Sequence, residues 1–236
     1  MFNIDTTRLN DSELRIMDDI TAYAKKNPAP GILEAARICG CSASQVSKTV
    51  KKAGFNGYKK FIYYLYFGDQ PKQEPLDELH RLKQVLEDFD TSIVDEFVDL
   101  IANHEKIIFF GYGPSHICAQ YFEYKLRFCT SAFIATPPDE HSVENMLDGT
   151  SLLAIFTTTG QYRSFENLTR HAKEKAADVV VISEEFNPTL MENCTRYFML
   201  TRHKQPDTLR PYEKTRTVFF IFFEEVIKRI LGSKSS

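Results

Sequence analysis

Five compact apolar runs in the second half of the chain, separated by stretches of helical spacing, constrain the fold most. Lys106-Ile107-Ile108-Phe109-Phe110 is β-rich and ends in Gly111; Ser131 to Ala135, Leu152 to Phe156, Val179 to Ile182 and Tyr197 to Leu200 follow. Strands alternating with helices predict a five-stranded parallel sheet covered on both faces by helices. Helices are expected from about Leu76 to Glu87 and from a cap at Thr91 or Ser92, the latter with Ile93, Phe97, Leu100 and Ile101 on one face. Others are expected around His116 to Phe128 and near Ser164 to Lys175. Pro211 to Leu231 reads as a long helix with the proline near its start, and Val218 to Phe223 is apolar around its whole circumference, so it requires cover on several sides. Burial against the sheet supplies part of that cover and contact with a second copy would add to it.

The first seventy residues read differently, as a small all-α cluster. Asn10, Asp11 and Ser12 offer caps for a helix whose Leu14, Met17, Ile20 and Ala24 recur at helical spacing until Asn27-Pro28. A second helix follows Pro30, with Ile32, Leu33, Ala35, Ala36 and Ile38 as its apolar content, and stops at Gly40, a residue suited to a left-handed turn. Ser42 then caps a third helix, Ala43 to Ala53, with Val46 and Val50 facing inward. The polar stretch from Gly68 to Pro75, punctuated by two prolines, reads as a linker. Three segments result: 1–68, a helical domain; 69–89, a linker and connecting helix; and 90–236, the α/β domain.

Charge is distributed unevenly over these segments. The formal net charge is -3, yet residues 1–70 carry ten Lys/Arg against seven Asp/Glu. Between Ala35 and Gly68 there is no acidic residue at all, while Arg37, Lys48, Lys51, Lys52, Lys59 and Lys60 fall inside the window. A basic window alone is most often a solvated face. A short helix, a glycine turn and a polar, basic helix together match a helix-turn-helix, whose second helix enters the major groove of DNA. Ser42, Ser44, Gln45 and Ser47 suit hydrogen bonding to base edges or phosphates near the helix start. Lys48, Lys51, Lys52, Lys59 and Lys60 suit phosphate neutralisation.

The element Gly54-Phe55-Asn56-Gly57-Tyr58-Lys59-Lys60-Phe61, standing directly after such a helix, resembles the N-terminal domain of the RpiR family of bacterial transcriptional regulators. That resemblance implies operator double-stranded DNA as a partner.

In a parallel α/β sheet, ligands sit at the carboxyl ends of the strands, and two loops stand there. Gly111-Tyr112-Gly113-Pro114-Ser115 leaves the first strand and opens a helix; a lone Gly-x-Gly also serves as a plain tight turn, and without a third glycine it is no dinucleotide fingerprint. Thr157-Thr158-Thr159-Gly160-Gln161 follows the third strand and offers three hydroxyls and a glycine as a phosphate cradle. The two loops together resemble those of the SIS domain, the sugar isomerase fold that recognises phosphosugars. The resemblance sets Ser115 on the first serine of the family, and Thr157 and Thr159 on the two serines of the second loop. Tyr162 stands where the family often has threonine, with Arg163 and Ser164 placed to compensate. Asn187-Pro188-Thr189-Leu190 resembles a further SIS loop. The resemblance covers about 1–68 and 90–231, and the order of the two domains is its specific part.

Asp139, Glu140, His141, Glu144 and His116 are the nearest candidates for acid-base or metal chemistry, but an acidic cluster after Pro137-Pro138 reads more simply as a helix start suited to the helix dipole. No complete acid and base constellation emerges, so neither catalytic residues nor a metal or cofactor are expected. Cys39 and Cys41 are too close for half of a usual zinc finger and read as small packing residues; five unpatterned cysteines suggest reduced thiols. The N-terminus lacks the pattern of a signal peptide, and no apolar run approaches the roughly 20 residues a bilayer requires. The expectation is a cytoplasmic regulator that binds operator DNA, senses a sugar phosphate effector and forms a homodimer or higher homo-oligomer. The alternatives are a phosphosugar isomerase with an accessory helical domain, and a dimeric scaffold that neither senses nor catalyses.

Overall fold

A computed structural model of the chain describes residues 8–25, 27, 29–68, 77–161, 163 and 165–233. The expected linker beyond Gly68 therefore lies mostly outside the described residues, as do Pro28, Leu76, Tyr162 and Ser164. The chain divides into two units, Met1–Lys72 with Asn187–Glu192, and Gln73–Phe186 with Asn193–Ser236.

The first unit is helical. Helix α1, Asp11–Ala24, opens with a capping box: Asn10 Oδ1 accepts from Glu13 N at 2.9 Å, and Glu13 Oε2 accepts from Asn10 N at 2.8 Å. Helices α2 (Ile32–Ile38), α3 (Ala43–Lys52) and α4 (Tyr58–Phe67) follow. Ile16, Ile20, Ala35, Val46, Val50, Phe61 and Ile62 form the buried interior. The turns on either side of α3 close in the same way. After α2, Cys41 N donates to Ala36 O and Gly40 N to Arg37 O, with Gly40 at φ +61°; after α3, Phe55 N donates to Val50 O and Gly54 N to Lys51 O, with Gly54 at φ +98°. Both are Schellman turns, which demand a left-handed residue where only glycine is unstrained. The second tucks Phe55 into the core against Phe61, with ring centroids 5.2 Å apart. Tyr58, just after Gly57, is buried and donates its hydroxyl to Pro30 O at 2.8 Å. The Gly-Phe-x-Gly-Tyr element is thus a turn followed by two aromatic anchors. Cys39 and Cys41 differ from expectation in being only half-buried; Cys39 Sγ donates to Ile16 O, and burial pushes its thiol up to about 11.

The second unit is α/β. Helices α5 (Glu78–Glu87) and α6 (Ser92–Ala102) precede β1 (Lys106–Gly111), α7 (Pro114–Leu126), β2 (Phe133–Ala135), α8 (Glu140–Met146), β3 (Ser151–Thr157), α9 (Glu166–Glu174), β4 (Asp178–Ser183), α10 (Pro188–Glu192), β5 (Arg196–Met199) and α11 (Thr217–Ser233). Of these, α10 clusters with the first unit. The strands form one parallel sheet in the order β2-β1-β3-β4-β5, with Lys106 opposite Ser151, Leu152 opposite Asp178, and Val180 opposite Arg196. Alternate residues Ile107, Phe109, Leu152, Ala154, Phe156, Val180 and Ile182 share a core with α6, α7 and α11. At its centre Phe122 stacks on Phe223 at 4.3 Å, and Phe223 meets Phe156 edge-on at 4.9 Å.

Several boundaries differ from the sequence expectation. α11 begins at Thr217 because Pro211 to Arg216 forms turns, with Arg210 N donating to Glu213 Oε2 at 2.7 Å. Phe220 and Ile221 are only half-buried, so the apolar run of α11 is not enclosed all round. The strand expected over 131–135 is confined to Phe133–Ala135. Thr91 is the N-cap of α6, as expected, but its hydroxyl makes no cap bond; Asp90 Oδ1 accepts from Ser92 N at 2.9 Å instead.

Candidate functional site

In the first unit the sequence-predicted residues fall on α3 and the start of α4. Ser42, Ser44, Gln45, Lys48, Lys51, Lys52, Lys59 and Lys60 are exposed or half-exposed, as is Ser47. Ser42 Oγ accepts from Gln45 N at 3.1 Å, so it is occupied as the helix cap. Lys52 Nζ lies 2.7 Å from Glu13 Oε2, which holds the Glu13 carboxyl below its ordinary value and offsets part of the lysine charge. Lys48 and Lys51 make no ion pair among the described residues and present their charge outward.

In the second unit both predicted loops lie at the carboxyl edge of the sheet. Gly111 ends β1 in close contact: a Cβ there would stand 2.9 Å from Ser115 Cβ and 3.0 Å from Phe156 O. Gly113 caps α7 at φ +53°, and Ser115 is buried in the first turn. After β3, Thr157 Oγ1 accepts from Gly160 N at 3.1 Å and so folds the loop on itself. Thr158 and Gly160 are buried, Thr159 is half-buried, and Gln161 and Arg163 are exposed. The helix expected near Ser164 to Lys175 after this loop is α9, Glu166–Glu174. At the first loop the helix N-terminus follows directly, with Gly113 as its cap.

Burial shows where polar capacity is concentrated. His116 Nδ1, Thr136 Oγ1, Thr158 Oγ1 and Glu184 Oε1 are buried and make no hydrogen bond among the described residues. They come from segments just beyond the carboxyl ends of β1, β2, β3 and β4. Buried polar atoms are nearly always paired, and these four follow the strand ends at which ligands sit in parallel α/β sheets; others of the kind, such as Thr49 Oγ1 and Gln84 Oε1, lie elsewhere. Sequence reasoning singled out His116 and Thr158 but missed Glu184 and Arg216. Arg216 Nε donates to Ser115 Oγ at 3.3 Å and Nη1 donates to Pro211 O at 2.9 Å, and the guanidinium makes no ion pair among the described residues. Burial pushes its pKa down. A half-buried cation beside a serine at a helix N-terminus suits an anion.

The acidic candidates serve structure. Asp139 caps α8, its Oδ1 accepting from Ser142 N at 2.8 Å; Glu140 accepts from the Tyr112 hydroxyl; Glu144 lies 2.7 Å from His171. The Asn187 side chain likewise caps α10, accepting from Thr189 N at 2.9 Å. Among the described residues no group of three or more His, Cys, Asp or Glu could hold a metal ion, and no helix is long and apolar enough to cross a membrane.

This architecture, a parallel sheet with polar loops at its carboxyl edge, matches the SIS domain model over residues 100–220. The chain belongs to the SIS domain family. It is 25% identical over 178 residues to an HTH-type transcriptional regulator in the aarA 3' region of Providencia stuartii, covering 66% of this chain and 63% of that protein. It is 26% identical over 128 residues to the HTH-type transcriptional regulator GlvR of Bacillus subtilis (strain 168), covering 51% of this chain and 49% of that protein. The chain thus spans less than two thirds of the length of these relatives. Among solved structures it resembles the Vibrio vulnificus NanR protein complexed with ManNAc-6P, at TM-score 0.57 and 16% identity over 98% of this chain and 90% of that one. It also resembles a hypothetical protein of Methanococcus jannaschii, MJ1247, whose structure infers a 3-hexulose-6-phosphate isomerase function, at TM-score 0.54 and 20% identity over 68% and 92% of the two chains. The regulators agree with the RpiR resemblance drawn from the Gly-Phe-x-Gly-Tyr element and the domain order.

Proposed function

We propose that this protein is a transcriptional regulator that binds operator DNA through α3 and is modulated by a phosphorylated sugar at the carboxyl edge of its sheet. The observation that carries the sensing part is the convergence there of Ser115, Arg216 and the Thr157–Gly160 loop with the buried unpaired polar atoms. Hydroxyl and backbone groups beside a cation that makes no ion pair among the described residues, with one carboxylate oxygen further along the edge, suit a ligand with an anionic end and a hydroxyl-rich body. The relatives named as regulators support the DNA-binding part.

Regulation then follows from linkage: an effector that binds one arrangement of a dimer better shifts the spacing of its recognition helices. The sequence points to α11 for contact with a second copy; the exposed surface of α7 supports a seat there as well. This helix buries Cys118, Ala119, Phe122 and Leu126 on its inner side, yet Ile117, Tyr121 and Tyr124 continue along its outer side at spacings of four and three, and Phe128 follows in the turn just past its end, its ring 5.4 Å from that of Tyr124. Tyr124 and Phe128 are 66% and 74% exposed. An exposed aromatic stripe of this kind suits a self-complementary interface, and a twofold pair presents two recognition helices to two half-sites. Sedimentation at micromolar concentration should show a dimer that the Tyr124→Glu, Phe128→Glu double variant converts to monomer; a monomeric wild type would remove this element.

The deciding experiment is binding to DNA upstream of its own gene against scrambled DNA, at fixed salt, with and without ManNAc-6P, 3-hexulose 6-phosphate and glucose 6-phosphate. Specific binding altered by one sugar phosphate supports both halves of the reading; no preference for native DNA overturns the first half, and turnover of a sugar phosphate replaces the second with isomerase activity. Lysine variants refine it. Lys51→Ala should reduce the salt slope of log K against log[salt] by about one, the release of one phosphate contact, while Lys52→Ala has a smaller effect because Glu13 already offsets its charge. Equal slopes for all three proteins would take α3 off the phosphates.

A further inference from the structure

Glu184 immediately follows β4 and its side chain is 1% exposed. Its Oε2 accepts from Arg81 Nη1 and from Gln205 Nε2, both at 3.0 Å, whereas the buried Oε1 makes no hydrogen bond among the described residues. Arg81 does not need this carboxylate. Its Nε and Nη2 are taken by Glu78 at 2.8 Å each, and Nη1 also donates to His203 O at 3.1 Å. A carboxylate that is dispensable to its partner, deeply buried and half-satisfied is costly as pure scaffolding. It also adjoins the second loop, since Glu185 N donates to Thr158 O at 3.0 Å, and its charge is felt by Arg216.

Charge decides which end of a ligand meets it. Glu78, Arg81 and Glu184 together set two carboxylates against one guanidinium, so a phosphate is repelled from Oε1 and drawn to Arg216 beside Ser115. A hydroxyl suffers no such repulsion and supplies the donor that Oε1 lacks. We infer that Glu184 is the specificity carboxylate of the effector site, its Oε1 accepting a hydrogen bond from a hydroxyl of the phosphosugar while Ser115, Arg216 and the Thr157–Gly160 loop face the phosphate. This rests on the sensing function proposed above and adds the polarity of the bound ligand and the residue that separates a sugar phosphate from a bare phosphate.

Calorimetry on the full chain tests it, with ManNAc-6P, 3-hexulose 6-phosphate, glucose 6-phosphate and inorganic phosphate as probes against wild type and Glu184→Gln. Glutamine keeps the size and an acceptor for Arg81, which retains Glu78. For the sugar phosphate that binds wild type, E184Q should lose about tenfold or more in affinity, while inorganic phosphate changes less than about twofold. The monodeoxy analogue lacking the hydroxyl in question should bind wild type and E184Q alike. Glu184→Asp, which keeps the charge but withdraws the oxygen, should show the same selective loss and serves should E184Q fail to fold. Unchanged sugar phosphate affinity, or an equal loss for sugar phosphate and inorganic phosphate, overturns the inference and leaves the sensing function standing. Wild type that binds no sugar phosphate overturns both.

Discussion

Arg81→Met should destabilise the α/β unit by about 3–5 kcal/mol, the usual cost of removing one partner of a buried ion pair. Arg81 is only 3% exposed and its guanidinium joins Glu78 and Glu184 to His203 O and Thr215 Oγ1. Methionine fills much of the space and leaves Glu184 with a single donor, Gln205. The deficit should depend on pH with a definite sign. Burial already pushes the Glu184 carboxyl above its ordinary range, against the pull of Arg81. Removing the arginine raises it further, so the folded variant takes up a proton that the unfolded chain releases. A raised carboxyl contributes stability that is fully present below the unfolded value and lost as pH rises through the folded one. Urea midpoints should therefore show a smaller deficit at pH 5 than at pH 8. A deficit independent of pH would mean that Glu184 is not the group left unpaired. The Arg81→Met, Glu184→Gln double variant should recover part of the loss, because the deeply buried carboxylate is then gone and only the part-exposed Glu78, which keeps the Thr215 hydroxyl, has lost its partner.

Gly111→Ala should cost about 2–3 kcal/mol, the upper part of the range for overpacking. Two of the neighbours that its new methyl group would meet are backbone atoms, Phe156 O at 3.0 Å and Ser115 C at 3.1 Å, and neither can swing aside as a long side chain would. Relief requires α7 to retreat from the sheet, taking Ser115 with it. Thermal unfolding and calorimetry should therefore move together, the variant losing both stability and sugar phosphate affinity. Intact affinity in a destabilised Gly111→Ala protein would separate Ser115 from the site.

The element order of the α/β unit was legible because each strand is a short apolar run, and buried parallel strands need no alternation to be recognised. Ser115 and Thr157–Gly160 were readable for the same reason, as the residues that follow such runs. What escaped the sequence depends on distant partners. Glu184 meets Arg81 across 103 positions and Arg216 meets Ser115 across 101, and no local spacing encodes either pairing. Pro211 looked like a helix start because proline suits a first turn, yet Glu213 turns back to Arg210 N and delays the helix to Thr217. The ion pair of Lys52 with Glu13, on another helix, is likewise invisible to the spacing within α3.

The order in which the chain is made adds a consequence. The turns around α3 are closed by bonds spanning three to five residues, so the basic helix can take its final form soon after it leaves the ribosome. The sheet face around Phe109 and Phe156, with Phe122 of α7 packed on it, is covered by Phe219, Phe222 and Phe223 of α11, the last of the described core elements in chain order. During translation the short helices of the first unit can thus be finished while the α/β unit still exposes aromatic surface, an interval in which that surface is open to chaperones.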